Sequence, residues 1–164
     1  MSHYYIINIG TNLGDRRLNL SRAMAAVIRH FGEIEMSHVV ETEPQGFESP
    51  NKFLNVGIMF RSDLTPEEVL GVLLDIEREI SPTSHRTPDG AYADRVIDID
   101  MIAADDFVTD TPSLKLPHPR LASRDFYLVP LEEIAPQWRH PLTGLTASEM
   151  LSASCVASAF LSFS

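Results

Sequence analysis

Hydrophobic and polar positions recur at two periods along the chain, and the changes of period predict its elements. Tyr4 to Ile9 (YYIINI) is a β-branched and aromatic run that Gly10 ends, the pattern of a buried first strand. After a turn at GTNLGD, Leu20, Met24, Val27, Ile28 and Phe31 fall at helical spacing, and Gly32 suits a helix C-terminus. Glu33 to Thr42 reads as a second strand, residues 43–52 as a loop with two prolines and a glycine, and Phe53 to Arg61 as a third strand. Thr65-Pro66-Glu67-Glu68 carries a cap, a first-turn proline and a capping-box glutamate. It opens a second helix with Val69, Val72, Leu73, Ile76 and Ile80 as its buried stripe. A long polar loop spans 81–94, and Arg95 to Ile102 (RVIDIDMI) alternates as a fourth strand. Thr109 to Arg120 is irregular and proline-rich, and a short apolar stretch follows at 121–131. Thr146 to Glu149 starts a last short helix, and the Ser/Ala-rich tail 152–164 is either packed or frayed. The order is that of a ferredoxin-like βαββαβ sandwich, an α+β fold, with C-terminal additions.

Composition narrows the picture. The chain has 164 residues, which suits a single domain over 1–164. Its net charge of −10, from 13 basic and 23 acidic residues, repels nucleic acid and anionic lipid surfaces. A small anion in a local basic pocket stays possible, because all the basic residues but Lys52 and Lys115 are arginines, the better forks for phosphate. The single cysteine, Cys155, forms no internal disulfide, and no CxxC or zinc spacing occurs. No basic-then-apolar leader pattern opens the chain and no apolar run is long enough to span a bilayer, so a soluble cytoplasmic protein without a membrane partner is expected.

Three groups of residues carry candidate chemistry. Asp98 and Asp100, two apart on a strand, point to one face, where their mutual repulsion favours a cation such as Mg²⁺; a solvated strand face is the plainer alternative. Lys115, His118, Arg120 and Arg124, with Arg95 beside the carboxylates, form a basic set able to clamp a polyphosphate; taken singly they read as surface charge. Thr42 and the loop up to Asn55, with Phe53, Tyr92 and Phe126, offer aromatic faces and an amide that can hold a flat heterocycle; core packing is the alternative. Glu77 lies on the polar side of the second helix, where solvation alone would account for it. Gly10-Thr11-Asn12-Leu13 reads as an ordinary βα turn, neither a dinucleotide fingerprint nor a P-loop.

Five segments between residues 4 and 136 carry a family resemblance: IGTNLGD, ETEPQG, FLN, RVIDIDMI and LPHPRLASRDFYLVPLEEIAP. Together they resemble the 6-hydroxymethyl-7,8-dihydropterin pyrophosphokinase family of folate biosynthesis. The resemblance implies a ferredoxin-like fold and transfer of pyrophosphate from ATP to the pterin hydroxymethyl group, releasing AMP. It implies two Mg²⁺ ions on Asp98 and Asp100, with Asp98 assisting deprotonation of the substrate hydroxyl. Arg95, Lys115, His118 and Arg124 are then expected at the ATP phosphates and Glu77 near the nucleotide. Thr42, Phe53, Asn55 and Phe126 are expected at the pterin, with Tyr92 where the family has a closing tryptophan. ATP and the reduced pterin are the expected partners, bound by a monomer. The chain departs from the family at Pro82 and Ser84, where two loop arginines are usual, and Arg86 is the expected substitute. Ala93-Asp94 likewise replaces a Gly-Pro. A non-catalytic pterin- or nucleotide-binding relative is the competing reading, and a regulatory or RNA-binding ferredoxin-like module a weaker third.

Overall fold

The computed structural model describes residues 2–43, 51–81 and 96–153. In chain order these hold β1 (His3–Thr11), α1 (Arg16–Phe31), β2 (Ile34–Met36), β3 (Val40–Thr42), β4 (Phe53–Ser62), α2 (Pro66–Ile80) and β5 (Asp98–Ala104). After them come β6 (Thr109–Asp110), β7 (Lys115–Leu116), a 3-10 turn (Leu121–Ser123) and α3 (Asp125–Ile134), and residues 147–153 are helical.

The antiparallel sheet runs β2-β4-β1-β5, with β3 also on β4, which is the ferredoxin-like arrangement. Alternation along β1 divides its side chains between two cores. Tyr5, Ile7 and Ile9 pack with Leu20, Ala23 and Val27 of α1 and with Val69, Leu73 and Ile76 of α2. Ile6 faces the other way, with Ile102, Ala103, Leu121, Leu128, Leu131 and Ile134. The C-terminal additions therefore form a third layer over the second sheet face. Local chemistry sets the helix starts. Asp15 Oδ1 accepts the Leu18 N–H at 3.1 Å, and Thr65 and Glu68 form the reciprocal capping box at 3.2 and 3.0 Å. Thr146 and Glu149 repeat that box before the helical residues 147–153.

Several boundaries differ from the sequence reading. β1 continues through Gly10 to Thr11, because Gly10 is paired on both sides, with Asn55 and with Asp98. The expected strand 33–42 is two strands. Ser37 interrupts it, donating its N–H to Gly57 O and accepting the Gly57 N–H on Oγ, both at 2.9 Å. A side-chain oxygen thus stands in for a ladder carbonyl, and β4 keeps its partner through the break. In α1 Ile28 is exposed, and Ala23 and Ala26 occupy the core-facing stripe in its place. Region 109–120 contains the small β6-β7 hairpin, and 121–131 contains the 3-10 turn and most of α3. The expected fourth strand begins at Asp98 among the described residues; Arg95 lies outside them, as does most of the loop 43–52 and of 81–94. A register shift against β1 between Ile6 and Ile7 lets Ile102 and Ala103 join the same core. Among the described residues no helix is long and apolar enough to cross a membrane.

Candidate active site

The sheet face that carries Ile6 changes character along its length. Strand register gives it in rows: Met59, Ile6 and Ala103; then Gly57, Asn8 and Asp100; then Asn55, Gly10 and Asp98. The first row is apolar and covered by α3. The next two are polar or without side chains; α3 still reaches Gly57 and Asn8 of the second through Pro130 and Phe126, and Phe53 and Thr42 extend the third on β4 and β3. One continuous floor therefore holds both strand carboxylates at one side and the Asn55 amide at the other.

Gly10 makes the floor a trough. A Cβ on Gly10 would lie 2.8 Å from Asn55 Oδ1 and 3.6 Å from Phe53 Cδ1, so only glycine admits the amide there. Asn55 is buried, and its Nδ2 donates to Thr42 Oγ1 at 3.0 Å, which fixes the amide in place. Thr42, Phe53 and Asn55, expected at a flat heterocycle, thus come together. Asn8, on the central row, donates from Nδ2 to Phe126 O at 3.0 Å. That carbonyl needs a donor because Pro130, four residues on and inside α3, has no N–H to offer it. Asn8 so ties α3, and Phe126 with it, to the floor.

Asp98 and Asp100 are half-buried on β5, at the sheet edge. Ile99 between them is turned into the α1/α2 core, and its N–H donates to Glu77 Oε2 at 2.7 Å. Glu77 is therefore a partner of the strand backbone and not merely a solvated residue. Asp100 Oδ2 accepts the Tyr127 hydroxyl, and that hydroxyl oxygen accepts Arg124 Nη1 at 2.7 Å. Arg124 is 9% exposed, with its guanidinium 5.5 Å over the Phe126 ring and 5.1 Å over the Tyr127 ring. Burial, reinforced by Asp100, raises the Tyr127 phenol well above its ordinary range and keeps it a protonated donor.

His118 meets Tyr127 edge-on at 5.0 Å. Its backbone N–H donates to Ile102 O at 2.9 Å, and its ring Nδ1 accepts the Arg120 backbone N–H at 3.1 Å, which leaves Nε2 as the protonated nitrogen of the neutral ring. Burial lowers its pKa, and the positive charges of Arg124 and Arg120 add to that against the opposing pull of Asp100. At neutral pH His118 is a neutral donor, not a cation. Lys115 stands on the hairpin, its Nζ 2.5 Å from Asp110 Oδ1, and is tied to that neighbour instead of to the strand carboxylates. Arg86, Tyr92 and Arg95, with the departures at Pro82, Ser84, Ala93 and Asp94, lie outside the described residues. The sequence reading passed over Tyr127, Asn8 and the steric role of Gly10. Tyr127 had a signal: it follows Arg124 by three, one helical turn. Asn8 had another, as the only amide in an apolar strand.

Among the described residues no three His, Cys, Asp or Glu side chains converge into a preformed metal cage. Two hard carboxylates side by side are nonetheless a donor set that suits Mg²⁺, which keeps water and takes substrate phosphates for its remaining positions.

Comparison with known proteins identifies the family and the fold. Residues 6–136 match the family model of 7,8-dihydro-6-hydroxymethylpterin-pyrophosphokinase (HPPK). A 2-amino-4-hydroxy-6-hydroxymethyldihydropteridine pyrophosphokinase of Porphyromonas gingivalis is 42% identical over 137 residues, 82% of this chain and 92% of the relative. Proteins of the same name from Aquifex aeolicus and Bacillus subtilis are 36% and 33% identical, over 83% and 84% of this chain and 82% and 81% of the relatives. In fold the chain is similar to the crystal structure of Plasmodium falciparum HPPK-DHPS wild type with SDX-DHP. The TM-score is 0.77 at 13% identity, covering 96% of this chain and 45% of that one. The chain belongs to the HPPK family and is a transferase of the pyrophosphokinase class.

Proposed function

We propose that this chain transfers pyrophosphate from ATP to the hydroxymethyl group of 6-hydroxymethyl-7,8-dihydropterin in an Mg²⁺-dependent step that releases AMP. The observation that carries the reading is the single floor joining Asp98 and Asp100 to the buried Asn55 amide across the bare backbone of Gly10. A heterocycle on Asn55, Thr42 and Phe53 has its substituent directed along that floor toward the carboxylates. Such transfer needs positioning and charge neutralisation more than covalent help from the protein.

The hydroxymethyl oxygen attacks the β-phosphorus, the bond from that phosphorus to the αβ-bridging oxygen breaks, and AMP leaves carrying that oxygen. The hydroxyl proton departs toward Asp98. Asp98 and Asp100 would hold the Mg²⁺ ions, which would supply neutralisation of the triphosphate charge and stabilisation of the attacking and leaving oxygens. His118 donates from Nε2 to a phosphate oxygen as a neutral group, and Arg124 adds a buried positive charge beside it. Glu77 acts from below, by fixing the backbone between the two carboxylates. Phosphorus NMR of the reaction mixture tests the reading: AMP and a pterin diphosphate are expected, whereas ADP and a pterin monophosphate contradict it.

A further inference from the structure

We infer that Tyr127 is a positioning residue whose hydroxyl sets Asp100 and Arg124 at a fixed separation, joining the metal-binding carboxylate to the phosphate-binding guanidinium. The inference rests on the reading of Asp100 as a metal ligand. Three observations support it. Tyr127 is 2% exposed, so its hydroxyl has no water to satisfy it and must bond within the protein. The hydroxyl has one proton and two lone pairs, and it uses them directionally, donating to Asp100 Oδ2 and accepting from Arg124 Nη1. Its ring lies at 5.0 Å from His118 and 4.8 Å from Phe126, so rotation of the phenol is blocked on both sides.

The consequence is geometric. Asp100 engages Tyr127 through Oδ2, and Oδ1 takes no part in that bond. A carboxylate held by an outer partner loses less freedom when it binds a cation, and removal of such partners typically costs about 10–100-fold in metal affinity or activity. Arg124 is the N-cap of α3 and lies three residues before Tyr127, so the two side chains are neighbours at the start of that helix. A phenylalanine would keep the ring and its contacts and lose only the link.

The test compares Tyr127→Phe, Tyr127→Leu, Asp100→Ala and the unmodified protein. Mn²⁺ affinity is read by paramagnetic resonance in the presence of an ATP analogue that cannot be cleaved between the α and β phosphates, and kcat and KM are measured alongside. The expected result is about a 10-fold or greater loss of Mn²⁺ affinity and of kcat in both Tyr127 variants, with the KM for pterin within about twofold. Wild-type values in Tyr127→Phe, or a loss confined to Tyr127→Leu, would overturn the inference and leave Tyr127 as packing. Unchanged Mn²⁺ affinity in Asp100→Ala would instead overturn the metal reading, and the inference with it. If Tyr127→Phe does not fold, tyrosine labelled at Cζ in the unmodified protein supplies the second readout, with Tyr4, Tyr5 and Tyr92 assigned by substitution. The remaining resonance shifts on adding Mn²⁺-free Mg²⁺ and the analogue if the link exists; a stationary resonance overturns it.

Discussion

Glu77 Oε2 accepts the backbone N–H of Ile99 at 2.7 Å, so a helix carboxylate holds the edge strand at the residue between Asp98 and Asp100. Ile99 is turned into the core while its neighbours face the floor, and its N–H is a donor that the half-buried Glu77 satisfies. Glu77→Ala removes a charged acceptor, for which losses of about 1.5–3 kcal/mol are ordinary, and urea denaturation should read a decrease of that order. Glu77→Gln keeps an acceptor oxygen and should recover most of the stability and turnover. Equal turnover in all three proteins would separate Glu77 from the placement of the carboxylates.

Asp98 and Asp100 contribute charge to the floor and little to either core. Asp98→Ala and Asp100→Ala should each reduce turnover by at least about a hundredfold, the scale on which removal of one preorganised electrostatic group acts, and Asp100→Ala should also lose about 1–3 kcal/mol of stability because the buried Tyr127 hydroxyl is left without its acceptor. Wild-type turnover in both variants contradicts their assignment.

The floor makes a specific demand at Gly10. Gly10→Ala places a Cβ 2.8 Å from Asn55 Oδ1, so the amide must shift. Asn55→Ala removes the amide altogether. Both variants should raise the KM for pterin by about tenfold, the value of one well-placed hydrogen bond near 1.4 kcal/mol, with the KM for ATP little changed. An equal rise for both substrates would make Asn55 a structural residue. Gly57→Ala tests packing on the same face: its Cβ would come 2.6 Å from Pro130 Cβ, and overpacking of this kind typically costs about 1–3 kcal/mol.

Much of this architecture was legible in the chain. The capping boxes at Thr65 and Thr146, the apolar runs of β1 and β4 and the alternation around Asp98 and Asp100 each reflect local chemistry, and local chemistry is written in adjacent residues. What was not legible depended on partners distant in sequence. Gly10 reads as a turn until the strands on both its sides are known. Ser37 reads as an ordinary strand residue until Gly57 meets it across the sheet. Tyr127 reads as one more apolar position of α3 until β5 brings Asp100 to its hydroxyl. Ala23 and Ala26 were overlooked for a different reason: a search for large apolar residues passes over small ones, although α1 packs on them.

His118 supplies a pH dependence whose sign follows from its lowered pKa. Above the ordinary value of 6.5 both folded and unfolded chains hold the ring neutral, and its contribution is constant. As pH falls through 6.5 the unfolded chain takes up a proton that the folded protein resists, so stability declines until the folded-state pKa is reached and then levels off. His140, also lowered by burial, acts in the same direction. Urea midpoints should therefore fall on acidification below neutrality, and His118→Gln should remove part of that slope. An identical slope in the variant would mean that His118 titrates freely.

The central claim is that one floor carries a pterin and ATP in line for pyrophosphate transfer, and AMP release tests it most directly. Purified protein with ATP, Mg²⁺ and 6-hydroxymethyl-7,8-dihydropterin should form AMP in step with pterin consumed, and none when pterin or Mg²⁺ is omitted. AMP formed at the same rate without pterin, or no AMP at all from protein that binds both substrates, would contradict it.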